Sequence, residues 1–255
     1  MASDDRSCDG LPVELLYDSP RVIAGTTSRG MHTDVDPYSG FSLCHYVGDN
    51  DAHWSQCRMS LAEYLGISCD SLVVPRQTHG VRIALIENLP IAGDCLDGVD
   101  AVVTTLPRVA VGVNTADCLP LLLSDECAHV VAAVHAGWRG AVNGIVENAL
   151  DVMIQAGANP GDIHAYIAPH IGTCCFEVGD EVASRFHPGD VTRTAGGRPH
   201  VSLSSSVVRS LTGHGVLPDN IACSGECTRC NPRHYFSARA LGIASGRNFS
   251  FVMLK

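Results

Sequence analysis

Short apolar runs occupy the middle of the chain, between residues 71 and 134. They are rich in β-branched residues and are separated by polar turns, a pattern that predicts strands. Several runs are apolar throughout and do not alternate with polar residues, which predicts a sheet that is buried on both faces. The predicted strands are Ser71–Pro75, Val81–Ile86, Asp100–Thr104, Val109–Val113, Leu119–Leu123 and His129–Val134.

Helical periodicity begins directly after these strands. Apolar residues recur at helical spacing from Trp138 to Ile154, which predicts one long helix that ends near Gly157. The remaining predicted elements are strands over 163–168 and 249–254, helices over 177–186 and 205–211, and a loop over 186–199.

Strands that precede and follow helices, with several adjacent strands between them, favour an α/β (α+β) fold with mixed sheets flanked by helices. The chain contains no internal repeat, low-complexity tract or long linker. We therefore expect a single catalytic domain over residues 21–255, preceded by an N-terminal extension over residues 1–20.

Composition narrows the classes of function. Hydrophobic residues make up 45% of the 255 residues and charged residues 17%, which is enough for a large core. The net charge of −10 disfavours general binding to nucleic acid or to an anionic membrane. The only lysine is Lys255, which argues against Schiff-base chemistry and a Walker-type phosphate site. An anionic substrate must then be held by arginine, backbone amides or a metal.

Targeting signals and common catalytic motifs are absent from the sequence. Residues 1–10 are polar and acidic, unlike a secretory signal, and no apolar run approaches the roughly 20 residues that cross a bilayer. We expect a cytoplasmic monomer whose twelve cysteines are mostly thiols. The patterns GxGxxG, Walker A, HExxH, GxSxG and the zinc-deaminase pair do not occur.

Three polar residues stand where predicted strands end, the usual position of functional groups in α/β sheets. They are His79, Cys118 and His135. His135 precedes the long predicted helix, whose first N–H groups and Arg139 would suit an anion.

Two imidazoles and one thiolate fit a zinc site with an open fourth position. The same residues also fit a cysteine that is assisted by histidine without a metal. The three positions are far apart in sequence, so spacing alone does not establish that they meet.

Six segments of the sequence carry a resemblance to a known family. They are RQTHGV (76–81), DGVDAVVTT (97–105), TADCLPLLL (115–123), VHAGWRG (134–140), IGTCCFEVGDEV (171–182) and CTRC with FSAR (227–239). Together they resemble the family long labelled multicopper polyphenol oxidase or laccase domain, from about Gly25 to the C-terminus. That family is now understood as purine nucleoside phosphorylases with adenosine deaminase and methylthioadenosine phosphorylase activity. Some bacterial members are called peptidoglycan editing factors.

The resemblance implies a single domain of mixed sheets sandwiched by helices and related to cysteine-hydrolase-like folds. It also implies that His79, Cys118 and His135 form the active site, often with zinc. Substrate-binding positions implied by the same comparison or by charge are Arg58, Ser42 and Arg139.

The sequence departs from the family pattern at three places. Ser42 stands where an asparagine is usual, Ala238 where a tyrosine is usual, and Thr173 where a proline is usual. None of these changes affects the His-Cys-His set.

Other cysteines allow more than one interpretation. Cys227 and Cys230 form a CxxC motif that is typical of a zinc site or a redox pair. A full zinc site needs four ligands and only His234 is near in sequence, so we favour a structural turn or buried thiols, and packing for the adjacent pair Cys174–Cys175. Asp117 could orient a histidine or simply form a turn.

Three functions follow as hypotheses. The first is phosphorolysis of adenosine, inosine or methylthioadenosine, with adenosine deamination, at a His-Cys-His site that holds zinc or, alternatively, copper. The second is copper-dependent oxidation of phenols, which the absence of any His-x-His pair disfavours. The third is editing of a peptidoglycan precursor.

Overall fold

The computed structural model describes residues 10–91, 94–193 and 197–255. Residues 1–9 of the expected N-terminal extension lie outside the described residues, as do residues 194–196 of the predicted loop. Val13–Asp18, which also fall within the span expected to be an extension, form strand β1.

The strands form in the apolar runs and at both ends of the chain. They are β1 (Val13–Asp18), β2 (Val22–Thr27), β3 (Leu72–Val73), β4 (Ile83–Ile86), β5 (Ala101–Thr104), β6 (Ala110–Thr115), β7 (Leu119–Asp125), β8 (Val130–Ala136), β9 (His164–Ile167), β10 (Val191–Arg193), β11 (Pro199–Val201), β12 (Ile221–Cys223) and β13 (Asn248–Leu254). The helices are α1 (Asp51–Leu65), α2 (Trp138–Val142), α3 (Ile145–Gln155), α4 (Asp180–Ala183), α5 (Leu203–Gly213) and α6 (Ala238–Leu241).

Two mixed sheets organise the described residues. One has the order β1-β2-β13-β6-β3, in which only β3 and β6 pair in parallel. The other has the order β12-β9-β7-β8-β5-β4, with parallel pairs at its two edges and antiparallel pairs in its centre. Strands β10 and β11 form a separate antiparallel pair.

The sheets pack face to face and helices cover their outer faces. Val111 and Val252 of the five-stranded sheet meet Leu122 and Val131 of the six-stranded sheet in one buried cluster. Helices α3 and α5 bury their apolar sides on the other face of the six-stranded sheet. Helix α1 packs through Leu61 on the outer face of the five-stranded sheet. The α/β class and the sandwich of mixed sheets flanked by helices are therefore confirmed.

The single helix predicted over residues 138–154 is wrong. The chain breaks it into α2 and α3, because Gly144 between them adopts a left-handed conformation (φ 93°). The helix that follows His135 thus has only five residues. Its dipole therefore contributes little to the anion site that was expected at its start.

Two further predictions are wrong in detail. The helix predicted over 177–186 is reduced to the four residues of α4. Part of the predicted loop over 186–199 is ordered as a 3-10 turn over Pro188–Asp190 followed by β10. Among the described residues, no helix combines the length and the apolar character needed to span a membrane.

Candidate active site at one edge of the six-stranded sheet

His79, Cys118 and His135 are brought to the same edge of the six-stranded sheet. His79 lies in the turn before β4, Cys118 directly precedes β7, and His135 is the second-last residue of β8. Residues Leu119 and Ala136 are paired neighbours in the sheet, which brings the start of β7 beside the end of β8. Strand pairing therefore places a cysteine and a histidine that are 17 residues apart in sequence side by side.

The three side chains converge on one point. One ligand atom from each, an imidazole nitrogen or the sulfur, lies within 4.8 Å of the others. His79 Nε2 is 3.7 Å from Cys118 Sγ, and the two imidazole rings meet edge to face with centroids 4.8 Å apart. His135 is buried, Cys118 is partly exposed and His79 is exposed, so the group opens to solvent on the His79 side.

Asp100, which sequence reasoning missed, holds this group together. Its side chain is fully buried just before β5, and Oδ1 accepts a hydrogen bond from His135 Nδ1 at 2.8 Å. The carboxylate also accepts from the backbone N–H groups of Thr78, His79 and Gly80. These bonds fix the turn that carries His79, whose φ of 63° is unusual for a residue with a side chain.

The hydrogen bond that His135 donates to Asp100 also determines which nitrogen of His135 is free. With Nδ1 bound to the carboxylate, Nε2 is left for a ligand or a proton. An acidic residue at the first position of an apolar strand was the only signal in the sequence for this role.

The electrostatics of Cys118 and His135 are coupled. Burial by itself would raise the pKa of Cys118, but the positive charge of His135 and hydrogen bonds from His135 and His79 lower it to about 6. Burial opposes the charge on His135, and the Cys118 thiolate and Asp100 together raise the pKa of His135 to about 9. These opposite shifts favour the thiolate–imidazolium form of the pair when no metal is present.

The geometry fits a metal ion. The donor set of two nitrogens and one sulfur suits zinc or copper, and Asp100 orients one of the imidazoles from behind, as carboxylates do in metal sites. Gly137 leaves the space open, because a Cβ atom there would lie 3.0 Å from His79 Cδ2 and 3.1 Å from Cys118 Sγ. His79, Cys118 and His135 could therefore hold a metal ion.

The three residues expected to bind substrate lie in different surroundings. Arg58 is partly buried and its Nη2 donates to the backbone carbonyls of Cys69 and Leu72. Ser42 is fully buried and its Oγ accepts from the backbone N–H of Arg247. Arg139 is exposed, with its guanidinium 4.5 Å from the centroid of the Trp138 ring.

A region that contains Arg58 and Arg76, the latter paired with Asp97 at 3.6 Å, lies next to the turn that carries His79. Partial burial, and then the charges of Arg58 and Arg76, lower the pKa of His45. Tyr46 links this region to the site, because its hydroxyl donates to Gln77 Oε1 at 3.1 Å, two residues before His79. His45 and Trp54 lie with their ring centroids 5.4 Å apart beside Tyr46, which gives the region an aromatic surface.

Asp117 forms a turn and does not orient a histidine. Its φ is 84°, and its carboxylate accepts from Thr228 Oγ1 at 2.7 Å and from the backbone N–H of Arg239 at 2.6 Å. The residue beside Cys118 is thus tied to the segment that contains the CxxC motif.

Curated relatives cover nearly the whole chain. An adenosine deaminase from an unknown prokaryotic organism is 42% identical over 247 residues, which are 92% of this chain and 94% of the relative. A purine nucleoside phosphorylase from Mycobacterium bovis is 35% identical over 93% of this chain and 94% of its own length.

Solved structures show the same fold. The hypothetical protein YfiH of Bacillus licheniformis superposes with a TM-score of 0.87 at 27% identity, over 96% of this chain and 99% of that one. YlmD from Geobacillus stearothermophilus superposes with a TM-score of 0.82 at 26% identity, over 92% of each chain.

Residues 23–255 match the family described as multi-copper polyphenol oxidoreductase laccase, and the curated relatives above are an adenosine deaminase and a purine nucleoside phosphorylase. The match spans the five-stranded sheet from β2 onward, the six-stranded sheet and all three residues of the site. By sequence and by structure, the chain belongs to this family of laccase-like, YfiH-type proteins.

Proposed function

We propose that this protein is a purine nucleoside phosphorylase for adenosine, inosine and methylthioadenosine that also deaminates adenosine. The convergence of His79, Cys118 and His135 on one solvent-facing point carries the proposal. It is supported by relatives that bear both enzyme names and match over more than nine-tenths of the chain. The net charge of −10 suits small-molecule substrates in the cytoplasm better than nucleic acid or a membrane, and we propose a monomer.

We assign zinc to the site, with His79, Cys118 and His135 as its ligands. When bound with an open position, zinc supplies a Lewis acid that polarises a substrate oxygen or lowers the pKa of water. Asp100 keeps His135 Nε2 turned toward the reacting centre, and Gly137 leaves room beside it.

Phosphorolysis needs an anion next to a sugar. One phosphate oxygen forms a bond to C1′ of the ribose, the C1′–N9 bond breaks, and the purine leaves with a proton on a ring nitrogen. We assign the phosphate to Arg58 and Arg76 near the His79 turn and to the exposed Arg139. His79 is the exposed member of the site, and we assign the departing purine to its solvent side, where water supplies the proton.

Deamination uses the same bound nucleoside. The oxygen of a water molecule forms a bond to C6 of the purine, the C6–N6 bond breaks and ammonia leaves. We assign the purine ring to the aromatic group of His45, Tyr46 and Trp54, against which it would stack. Both reactions can therefore use one orientation of the nucleoside, with the phosphate next to C1′ of the ribose and the water molecule next to C6 of the purine.

Phosphate dependence tests the proposed function. The purified protein should release hypoxanthine from inosine and form ribose 1-phosphate only when phosphate is present. Release of ammonia from adenosine should not depend on phosphate. Equal base release in phosphate-free buffer would contradict phosphorolysis. Turnover of phenols with added copper but not of nucleosides would favour the oxidase alternative.

Cys118→Ala tests the site itself. We expect loss of at least about 100-fold in kcat/KM for both reactions and of the zinc at this site, since two imidazoles alone hold zinc weakly. Cys127→Ala is the matched control, because Cys127 is an exposed free cysteine at the far end of β7. A Cys118→Ala protein with normal activity would place the chemistry elsewhere, and an inactive variant that keeps its full zinc content would favour a cysteine nucleophile.

A further inference from the structure

Two cysteine pairs that are more than 50 residues apart in sequence meet in a second cluster. One pair lies in the turn after β9 and the other is the CxxC motif after β12. The four Sγ atoms lie within 4.8 Å of one another. The members of this four-cysteine cluster are Cys174, Cys175, Cys227 and Cys230.

The cluster supplies the ligands that the CxxC motif lacks in sequence. The expected neighbour His234 is not part of it, because its Nε2 is 2.6 Å from Glu14 Oε1. The adjacent pair Cys174–Cys175, which sequence reasoning assigned to packing, completes the set instead.

The sulfur spacing matches a tetrahedral metal site. Cys230 Sγ is 3.4 Å from Cys175 Sγ and 3.7 Å from Cys174 Sγ. The sulfur atoms of Cys174 and Cys175 are 3.8 Å apart. Four thiolates around one zinc ion at about 2.3 Å would lie about 3.8 Å from one another. A disulfide would bring two sulfur atoms to about 2.05 Å, which is much closer.

The backbone around the cluster is already arranged for a ligand. His170 and Cys227 form a parallel bridge, in which the N–H of Thr228 donates to His170 O at 3.0 Å. The N–H of Gly172 donates to Cys227 Sγ at 3.2 Å, as backbone amides do for metal-bound thiolates. A Cβ atom on Gly172 would lie 3.3 Å from Cys227 Cβ, so glycine permits the close approach of the two segments.

Charge around the cluster also suits bound thiolates. Arg229 and Arg239 line the same surface hollow as Cys174 and Cys175. Four thiolates and one Zn²⁺ carry a net charge of −2, which the two guanidinium groups would offset in part, since Glu177 lines the same hollow. Binding would form four Zn–S bonds and release one proton from each thiol.

We propose that the four-cysteine cluster is a closed structural zinc site, separate from the His-Cys-His site. All four coordination positions come from the protein, so no position is left for a substrate. Its role follows from Thr228, which lies inside the CxxC motif and donates to Asp117, the neighbour of Cys118. Zinc at the cluster would thereby fix the turn that presents Cys118.

The test uses the Cys118→Ala protein, because that change is expected to remove metal from the His-Cys-His site and so leave the four-cysteine cluster as the zinc site. Purified under reducing conditions from cells supplied with zinc and copper, it should retain one zinc per chain by elemental analysis. X-ray absorption should show a shell of four sulfur atoms at about 2.3 Å and no nitrogen. This result is independent of whether the protein acts on nucleosides.

A second variant identifies the ligands. Adding Cys230→Ser to Cys118→Ala should remove the remaining zinc and lower Tm, whereas adding Cys223→Ser, an exposed cysteine of β12 outside the cluster, should change neither. Absence of zinc from the Cys118→Ala protein, nitrogen in its ligand shell, copper in place of zinc, a disulfide within the cluster, or full zinc content after Cys230→Ser would each overturn the proposal. The absorption measurement needs no change in the cluster, so it remains decisive if a cluster variant fails to fold.

Discussion

At the scale of single residues, Asp100 connects the backbone of one turn to the chemistry of another strand. Burial alone would raise its pKa, but hydrogen bonding to His135 and the charge of that imidazole, followed by the backbone N–H groups of Gly80 and Thr78, lower it. The ionised carboxylate in turn stabilises the charged form of His135, which stabilises the thiolate of Cys118. One buried charge therefore acts on two residues of the site.

Asp100→Asn should raise the pH at which Cys118 ionises. Without the carboxylate the pKa of His135 falls, the thiolate loses its positive partner, and the pKa of Cys118 rises from about 6 toward its ordinary value of 9. In metal-free protein, the rate of Cys118 alkylation by iodoacetamide, followed by peptide mass spectrometry at different pH values, should show its midpoint shifted upward.

Asp125→Asn is the matched control for this experiment. Asp125 is also buried and accepts backbone N–H groups, from Cys127, Ala128 and Asn159, but it has no contact with the site. Both variants should lose roughly 1.5–3 kcal/mol of stability through lost bonds to a charged acceptor. An unchanged alkylation profile in Asp100→Asn, or the same shift in Asp125→Asn, would contradict the assigned role.

The site was only partly predictable at this scale. Strand-end positions and the family resemblance pointed to His79, Cys118 and His135. Asp100 was not found, because its role depends on long-range contacts to the 78–80 turn and to β8 that local sequence does not encode. The four-cysteine cluster was missed for the same reason, since its two halves are brought together by the parallel pairing of β9 and β12 and by the bridge between His170 and Cys227.

At the scale of elements, glycines decide where helices end and where the site has room. Gly144 divides α2 from α3 although apolar periodicity continues across it, so the hydrophobic pattern predicted one helix where the backbone forms two. Helix α1 was not predicted, because its apolar and polar residues are poorly separated around its axis. Its boundaries were nevertheless marked by an Asn50 cap and by Gly66 in a left-handed conformation.

Gly137→Ala should damage the site while leaving the fold intact. The new methyl group would lie 3.0 Å from His79 and 3.1 Å from Cys118 Sγ, and must push the ligands apart. Displaced ligands should weaken zinc binding by about tenfold or more, a loss typical of changes around metal ligands. Zinc affinity can be measured by competition with a chelator, and kcat/KM for inosine should fall with it.

Gly213→Ala serves as the control for that substitution. Gly213 lies at the end of α5, and a Cβ atom there would meet nothing within 4 Å. We expect unchanged activity and a small gain in stability of up to about 1 kcal/mol from the helical alanine. Equal zinc affinity in Gly137→Ala and in the original protein would show that the ligands do not close around this position.

At the scale of the whole molecule, the site depends on the sandwich behind it. Four segments meet at the site edge of the six-stranded sheet, at the starts of β4, β5 and β7 and at the end of β8. The continuous apolar strands correctly predicted a sheet covered on both faces, but the order of the strands followed from no local pattern. Strands β1 and β2 were not predicted either, although β2 lies between β1 and β13 and joins the chain's two ends in one sheet.

The packing between the two sheets should therefore affect the free energy of unfolding more strongly than it affects the activity of the site. Leu122 is fully buried on the face of β7 that meets the five-stranded sheet, so Leu122→Ala would leave a cavity between the sheets. We expect a loss of about 2–5 kcal/mol in the free energy of unfolding. Leu85→Ala on β4 is the matched control, because that side chain is 40% exposed, and it should cost less than about 1 kcal/mol.

Urea unfolding curves of the two variants measure the difference, while kcat/KM of the folded protein at low temperature should be nearly unchanged in both. Equal midpoints for the two variants would mean that the interface between the sheets does not hold the fold together, and a selective loss of activity in Leu122→Ala at full folding would mean that the interface positions the site directly.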